Sequence, residues 1–189
     1  MRTGCSEFDA IVVGSGPGGA TVARELSMNN QNVLILEWGD NDPIKGTFAQ
    51  TLSRAFIPGK SLLITGQALG MVRAITTGGS SLIYCATAFD PPIEMLKTYG
   101  VDISKEVAEM TKEVPNAPLT GELMSPAGVR FEESAMDLGY DCKRLNKFIY
   151  QSKCRPDCQL CLYGCPYGAK WNARNFVDEA LEKDRKSVV

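Results

Sequence analysis

Four of the chain's seven cysteines fall in one short stretch, CRPDCQLCLYGCPYGAK, with the spacing Cys154-x3-Cys158-x2-Cys161-x3-Cys165-Pro166. Thiols this close together serve as metal ligands or redox groups wherever the compartment keeps them reduced. The last three cysteines and the proline reproduce the C-x2-C-x3-C-P end of the bacterial ferredoxin run, and only the first gap is one residue wider. There is no second cysteine run, so one [4Fe-4S] cluster held by Cys154, Cys158, Cys161 and Cys165 is the economical expectation. A zinc staple competes, although zinc favours two pairs split by a longer loop. Structural disulfides conflict with a reducing compartment, and a thioredoxin-like pair at Cys158 and Cys161 needs a helix start in a different fold. Charge favours an ionic centre: from Asp141 to Asn175 there are seven basic and two acidic residues, in a chain whose formal net charge is −2. Positive surroundings stabilise thiolates and raise a cluster's potential, and the same basic face would suit an acidic redox partner. Cys5, Cys85 and Cys142 are isolated and carry no such pattern.

The second group of chemical residues lies near the start. GSGPGG places Gly14, Gly16 and Gly19 in the G-x-G-x-x-G pattern, and Glu37 follows 18 residues after Gly19. Gly14 permits a tight turn, Gly16 lets the backbone approach a pyrophosphate, and Gly19 lets a helix pack closely on a strand. Glu37 can accept hydrogen bonds from a ribose hydroxyl. Gly14, Ser15, Gly16, Pro17, Gly18, Gly19, Glu37 and Trp38 are therefore candidate dinucleotide-binding residues. The motif alone does not separate FAD from NAD. A second glycine segment, Gly78-Gly79-Ser80-Ser81, presents several N–H groups and two hydroxyls to an anion or a ring edge. On composition alone it is also an ordinary turn.

The elements that must position these residues follow from periodicity. FDAIVV (residues 8–13) is a β-branched strand, Gly14 to Leu26 opens a helix, and NVLILEWG (32–39) is a second strand. The helix N-terminus offers unpaired N–H groups and partial positive charge to a pyrophosphate. Residues 41–60 carry the turn residues of an irregular connection. SLIYCATAF (81–89) is expected as a strand. Residues 92–114 are helical in two pieces broken at Gly100, and Ser125-Pro126 caps a helix that runs through Met136 and stops near Gly139. These boundaries give a nucleotide-binding part (1–92), a helical connecting region (93–145) and a cysteine-rich segment with a terminal helix (146–189). The fold class expected is α/β: a Rossmann-like domain, incomplete in this chain, with a cysteine-rich iron–sulfur insertion. The slight negative charge excludes a general nucleic-acid binder. Acidic residues Glu7 and Asp9 precede the apolar start, so no signal peptide is expected, and no run is long enough to span a membrane. A cytoplasmic location is the expectation.

On Gly14, Gly16, Gly19 and Glu37, and again on Gly78, Gly79, Ser80 and Ser81, the sequence resembles the glucose-methanol-choline (GMC) oxidoreductases. GAKWNARNFVDEAL (168–181) after the cysteines is similar to a GMC subgroup with a cysteine-rich segment. The chain departs from the usual pattern in the residues before the glycines and at Tyr84, where the family usually has Asn or His. The resemblance implies FAD, with the second glycine segment against its pyrophosphate and flavin side, and oxidation of an alcohol by hydride transfer with a histidine as base. This chain has no histidine. The resemblance therefore implies a second chain that supplies further FAD-domain strands, the substrate domain and the histidine, besides a small-molecule substrate and a redox carrier. No catalytic residue is expected here. Two other readings stay open: a non-catalytic electron-transfer subunit, and a zinc-stapled nucleotide-binding module.

Overall fold

A computed structural model describes residues 7–184; Cys5 lies outside them. In chain order the elements are β1 (Ala10–Val13), α1 (Pro17–Met28), β2 (Val33–Leu36), α2 (Phe48–Ala55), β3 (Leu62–Ile64), β4 (Gly70–Val72), β5 (Thr87–Ala88), α3 (Ile93–Thr98), α4 (Ser104–Glu113), β6 (Ala117–Pro118), α5 (Pro126–Asp137), β7 (Asn146–Lys147) and α6 (Arg174–Asp184). They divide between two compact units. One comprises the described parts of Met1–Tyr84, Leu160–Pro166 and Asn172–Val189, and the other Cys85–Gln159 and Tyr167–Trp171. No helix among the described residues is long and apolar enough to cross a membrane.

The first unit is built on the expected strand–helix–strand. β1 and β2 pair in parallel, Ala10 opposite Val33 and Val13 opposite Leu36. Pro17 opens α1 at a position where its missing N–H costs nothing, and Gly16 caps it in extended conformation. Ala20, Ala23 and Ser27 are the buried face of α1. α6 packs on α1: Phe176, Val177 and Ala180 are buried, and the Arg24 guanidinium sits 4.5 Å over the Phe176 ring while its Nε donates to Glu179 at 2.5 Å. Burying those apolar side chains is the main reason the helix pair holds, at about 1.5–3 kcal/mol for each large one. β3 and β4 form an antiparallel hairpin.

The connection after β2 is less irregular than its turn residues imply. α2 forms there because Thr47 Oγ1 accepts from the Gln50 N–H at 3.3 Å as an N-cap. The expected strand over 81–89 does not form. A 3-10 turn occupies Gly79–Leu82 and only Thr87–Ala88 is extended, because the Ser81 hydroxyl donates to Gly78 O and Ala86 is left-handed (φ +59°).

In the second unit β7 sits between β5 and β6 in a small antiparallel sheet. The helical region is broken where expected: α3 ends at Thr98, Gly100 is left-handed (φ +78°), and α4 starts at Ser104. Ser125 Oγ accepts from the Gly128 N–H at 3.1 Å and caps α5, and Gly139 (φ +81°) follows its end.

Candidate dinucleotide site

The turn between β1 and α1 is made by Gly14 at φ +89°, a value an L side chain rarely adopts. Its N–H donates to Leu36 O at 2.7 Å, which carries the β1–β2 ladder one step into the turn. A Cβ on Gly19 would lie 2.0 Å from Gly14 O, so only glycine lets α1 approach β1 this closely. Around Gly16 and Gly18 a Cβ would meet nothing within 4 Å. The loop is thus packed shut at Gly19 and open at Gly16, where a ligand backbone approach requires space. The first-turn N–H groups of α1 have no intrahelical acceptor and add partial positive charge at that opening.

Ser15 joins this loop to the rest of the site. It is fully buried, and both its N–H and its hydroxyl donate to Glu37 Oε2, at 2.8 and 2.5 Å. The same hydroxyl accepts from the Gly78 N–H at 3.0 Å. Glu37 Oε1 accepts from the Gly39 N–H at 2.8 Å. Burial raises the Glu37 pKa, but the donors from Ser15, Gly39 and Trp38 outweigh it and hold the carboxyl below its usual range. The second glycine segment thereby comes against the first: a Cβ on Gly79 would stand 3.0 Å from Gly16 Cα.

Behind β2 the chain is tied to that segment again. The Thr77 N–H donates to Asp40 O at 2.8 Å and Thr76 Oγ1 donates to the same carbonyl at 3.0 Å. A Cβ on Gly39 would come 2.1 Å from Thr76 N, so the two backbones pass at contact distance. Buried Arg54 pairs with the Asp40 carboxylate at 2.5 Å. Burial alone would push the Asp40 carboxyl up; Arg54, Asp42 and Thr76 together bring it below its ordinary value.

These segments enclose a cavity of about 460 Å³, within the usual range for small-molecule sites. Val13, Gly14, Gly16 and Pro17 line it from the first turn, Leu36, Glu37 and Trp38 from the end of β2, and Arg73, Ala74, Ile75, Gly79 and Ser80 from the second segment. Seven expected residues therefore face the cavity: Gly14, Gly16, Pro17, Glu37, Trp38, Gly79 and Ser80. The other five do not line it. Ser15 and Gly78 hold its segments together, Gly19 packs on β1, Gly18 is exposed on α1, and Ser81 is turned inward between Gly78 O and the Ala173 N–H. Arg73, Ala74 and Ile75 are additions that the motifs do not announce. Trp38 is exposed, with Lys60 Nζ 5.6 Å and Arg73 Cζ 5.9 Å from its ring centroid. The donor set suits a dinucleotide: N–H groups and cations for phosphates, an ionised carboxylate for ribose hydroxyls, apolar walls for a base.

The cysteine run is divided between the two units. Cys161 and Cys165 belong to the first unit, Cys154 and Cys158 to the second. Among the described residues no three or more of Cys, Asp and Glu stand close enough to hold a metal ion. Within the first unit, Cys161 opens a 3-10 turn, and Gly164 (φ +94°) and Cys165 (φ +61°) then turn the chain left-handed, with Cys165 buried. Gly164 and Pro166 are wedged against Ile44 and Gly46. None of the six described cysteines is in a disulfide. Tyr84 lies near Cys161; burial first, then the charge of that thiol, push its phenol well above the usual range.

Compared with known proteins, the chain is 29% identical over 182 residues to an uncharacterised GMC-type oxidoreductase of Mycobacterium tuberculosis strain CDC 1551, covering 86% of this chain and 28% of that protein. A GMC-type oxidoreductase of strain H37Rv gives the same values. The chain thus spans 28% of the length of these curated relatives. Pyridoxine 4-oxidase from Mesorbium loti superposes with a TM-score of 0.68 at 13% identity, over 97% of this chain and 42% of that one. A formate oxidase variant of Aspergillus oryzae, studied for its FAD modification, gives 0.50 at 19% identity, over 93% and 37%. No protein-family model matches the chain. The sequence relationship is to GMC-type oxidoreductases, and the fold is shared with these two oxidases.

Proposed function

We propose that this chain is the FAD-holding part of a GMC-type oxidoreductase that acts, in the cytoplasm, on CH–OH groups. The observation that carries the reading is the Ser15 hydroxyl, which joins the G-x-G-x-x-G turn, Glu37 and the second glycine segment around one cavity. FAD, when bound, supplies a two-electron acceptor for hydride from an alcohol, or a donor to a carbonyl. The chain's own residues would hold it: the first-turn N–H groups of α1 at the pyrophosphate, and Glu37 at the ribose. The sequence contains no histidine, so an imidazole base has to come from outside these 189 residues. In this reading a partner chain brings it, together with the substrate domain and further strands. The exposed apolar side chains of β1, Ile11 at 60% and Val13 at 81%, support such a partner. The test is titration of the purified chain with FAD and, separately, NAD, followed by flavin or nicotinamide fluorescence. Saturable 1:1 FAD binding is expected; NAD binding alone, or neither, overturns the reading.

A second reading concerns Cys154, Cys158, Cys161 and Cys165, whose spacing and basic surroundings support a [4Fe-4S] cluster exchanging single electrons with a redox carrier. No electron path is drawn through them. Iron, sulfide and zinc contents after anaerobic purification decide between a cluster and a zinc staple, and flavin reduction by substrate in the assembled complex separates an enzyme from an electron-transfer subunit.

A further inference from the structure

The geometry points to Arg174 as the positioning residue of the second glycine segment, and through it of the dinucleotide cradle; this rests on the cofactor reading above. Arg174 opens α6, far along the chain from the glycines, and its guanidinium is spent on backbone and hydroxyl acceptors of the cradle. Nε donates to Thr77 O at 2.9 Å, Nη2 to Thr76 Oγ1 at 2.9 Å, and Nη1 to Asp42 O at 2.8 Å. Those three acceptors lie on the two chain segments that Thr77 N and Asp40 O join, so one planar fork spans the seam between them.

The stem of the side chain acts as well. Gly78 is left-handed at φ +87°, and a Cβ there would fall 3.1 Å from Arg174 Cγ and 3.2 Å from Arg174 N. The neighbouring Ala173 N–H donates to Ser81 Oγ at 2.9 Å, and Ser81 Oγ in turn donates to Gly78 O at 2.6 Å. The start of α6 is thus the back wall of the turn whose front, Gly79 and Ser80, lines the cavity. Gly78 and Gly79 both carry positive φ, a conformation with little intrinsic preference of its own, so the segment's shape depends on what it is fastened to. Ser15 fastens it from the front and Arg174 from behind. Burial, and then the nearby Arg54 charge, lower the Arg174 pKa; a guanidinium is nonetheless a permanently charged fork in proteins.

The test compares Arg174→Ala, Arg174→Lys and Glu179→Gln in the full chain. Glu179→Gln weakens the hold of α6 on α1 by removing the carboxylate charge that faces Arg24, and it leaves the second glycine segment untouched. Two quantities are read: amide hydrogen exchange at Thr77, Gly78 and Gly79 relative to the β1 amides, and FAD affinity. Arg174→Ala is expected to speed exchange at 77–79 about tenfold with β1 little changed, and to weaken FAD binding about tenfold. Arg174→Lys, whose ammonium reaches only some of the acceptors, should recover part of both, and Glu179→Gln should leave 77–79 protected. Exchange at 77–79 that is unchanged in Arg174→Ala, or that rises equally in Glu179→Gln, overturns the proposal. Should Arg174→Ala not fold, the lysine variant carries the same comparison. If the parent chain binds no FAD, the cofactor reading falls, while the exchange data still decide the role of Arg174.

Discussion

Replacing Ser15 with alanine removes one oxygen and breaks the site at its joint. That hydroxyl makes a charge-assisted bond to Glu37 at 2.5 Å and satisfies the buried Gly78 N–H at 3.0 Å. A hydrogen bond to a charged group contributes about 1.5–3 kcal/mol net, and a buried donor left without a partner costs about 1–3 kcal/mol. The two overlap, so the expected loss is about 3–4 kcal/mol, a large part of a typical domain's stability. With a urea slope of about 2 kcal/mol per M, the unfolding midpoint should fall by about 1.5–2 M. Circular dichroism in urea measures this, and flavin fluorescence measures the accompanying loss of FAD affinity. Ser15 also supplies the largest of the hydrogen bonds that lower the Glu37 pKa, so that carboxyl should titrate higher in the variant. If the midpoint and the FAD affinity both match the parent chain, Ser15 is not the joint and the argument for one assembled site fails.

The glycines provide a matched pair. Gly18→Ala adds a methyl to open space on exposed α1 and should stabilise the chain by about 0.5–1 kcal/mol. Gly19→Ala drives a methyl into Gly14 O and should cost several kcal/mol or abolish folding; thermal melts of both variants check the contrast, and equal melts would refute the packing argument. Cys161→Ser should abolish iron uptake on anaerobic reconstitution while FAD still binds, and full iron content in that variant would sink the cluster reading.

Several features are legible in the sequence because their causes are local. β1, α1 and β2 follow from a β-branched run, Pro17 at the first helical position and a second apolar run; Ser125-Pro126 and Gly100 mark helix boundaries by capping and by left-handed φ. What escapes such a reading has partners distant in sequence. Arg73 to Ile75 line the cavity only because the Asp40–Thr76 bridge lays their segment beside β2, and nothing near Arg174 announces acceptors about a hundred residues earlier. The motif suggests that Ser81 faces the ligand, but a hydroxyl that can bond the nearby Gly78 O is drawn inward. The cysteine spacing says how far apart the thiols are along the chain and nothing of the left-handed steps at Gly164 and Cys165.

Glu37 reads in the sequence as a ribose ligand, and the structure gives it a second duty that makes the two separable. Oε2 accepts two donors from Ser15 and Oε1 accepts the Gly39 N–H, so each of these protein groups facing the carboxylate is a donor. Ser15 takes up both lone pairs of Oε2, so the room for a ribose hydroxyl is on Oε1. In Glu37→Gln one of the two positions becomes an amide NH2 facing an N–H, so at least one backbone donor loses its acceptor whichever way the amide is turned. The chain without cofactor should therefore lose about 1–3 kcal/mol of stability, measured as a lower urea midpoint. The pH dependence follows with its sign. The folded pKa of Glu37 lies below its ordinary value of 4.5, and that of Asp40 below 3.8, so their contribution is present above those values and is lost as pH falls through the lower folded values. Parent stability should thus drop as pH is taken below about 4.5, and Glu37→Gln should flatten the upper part of that drop while leaving the Asp40 part. A variant as stable as the parent, with an unchanged acid profile and weakened only in FAD binding, would show that Glu37 serves the ligand alone and that the cradle does not depend on it.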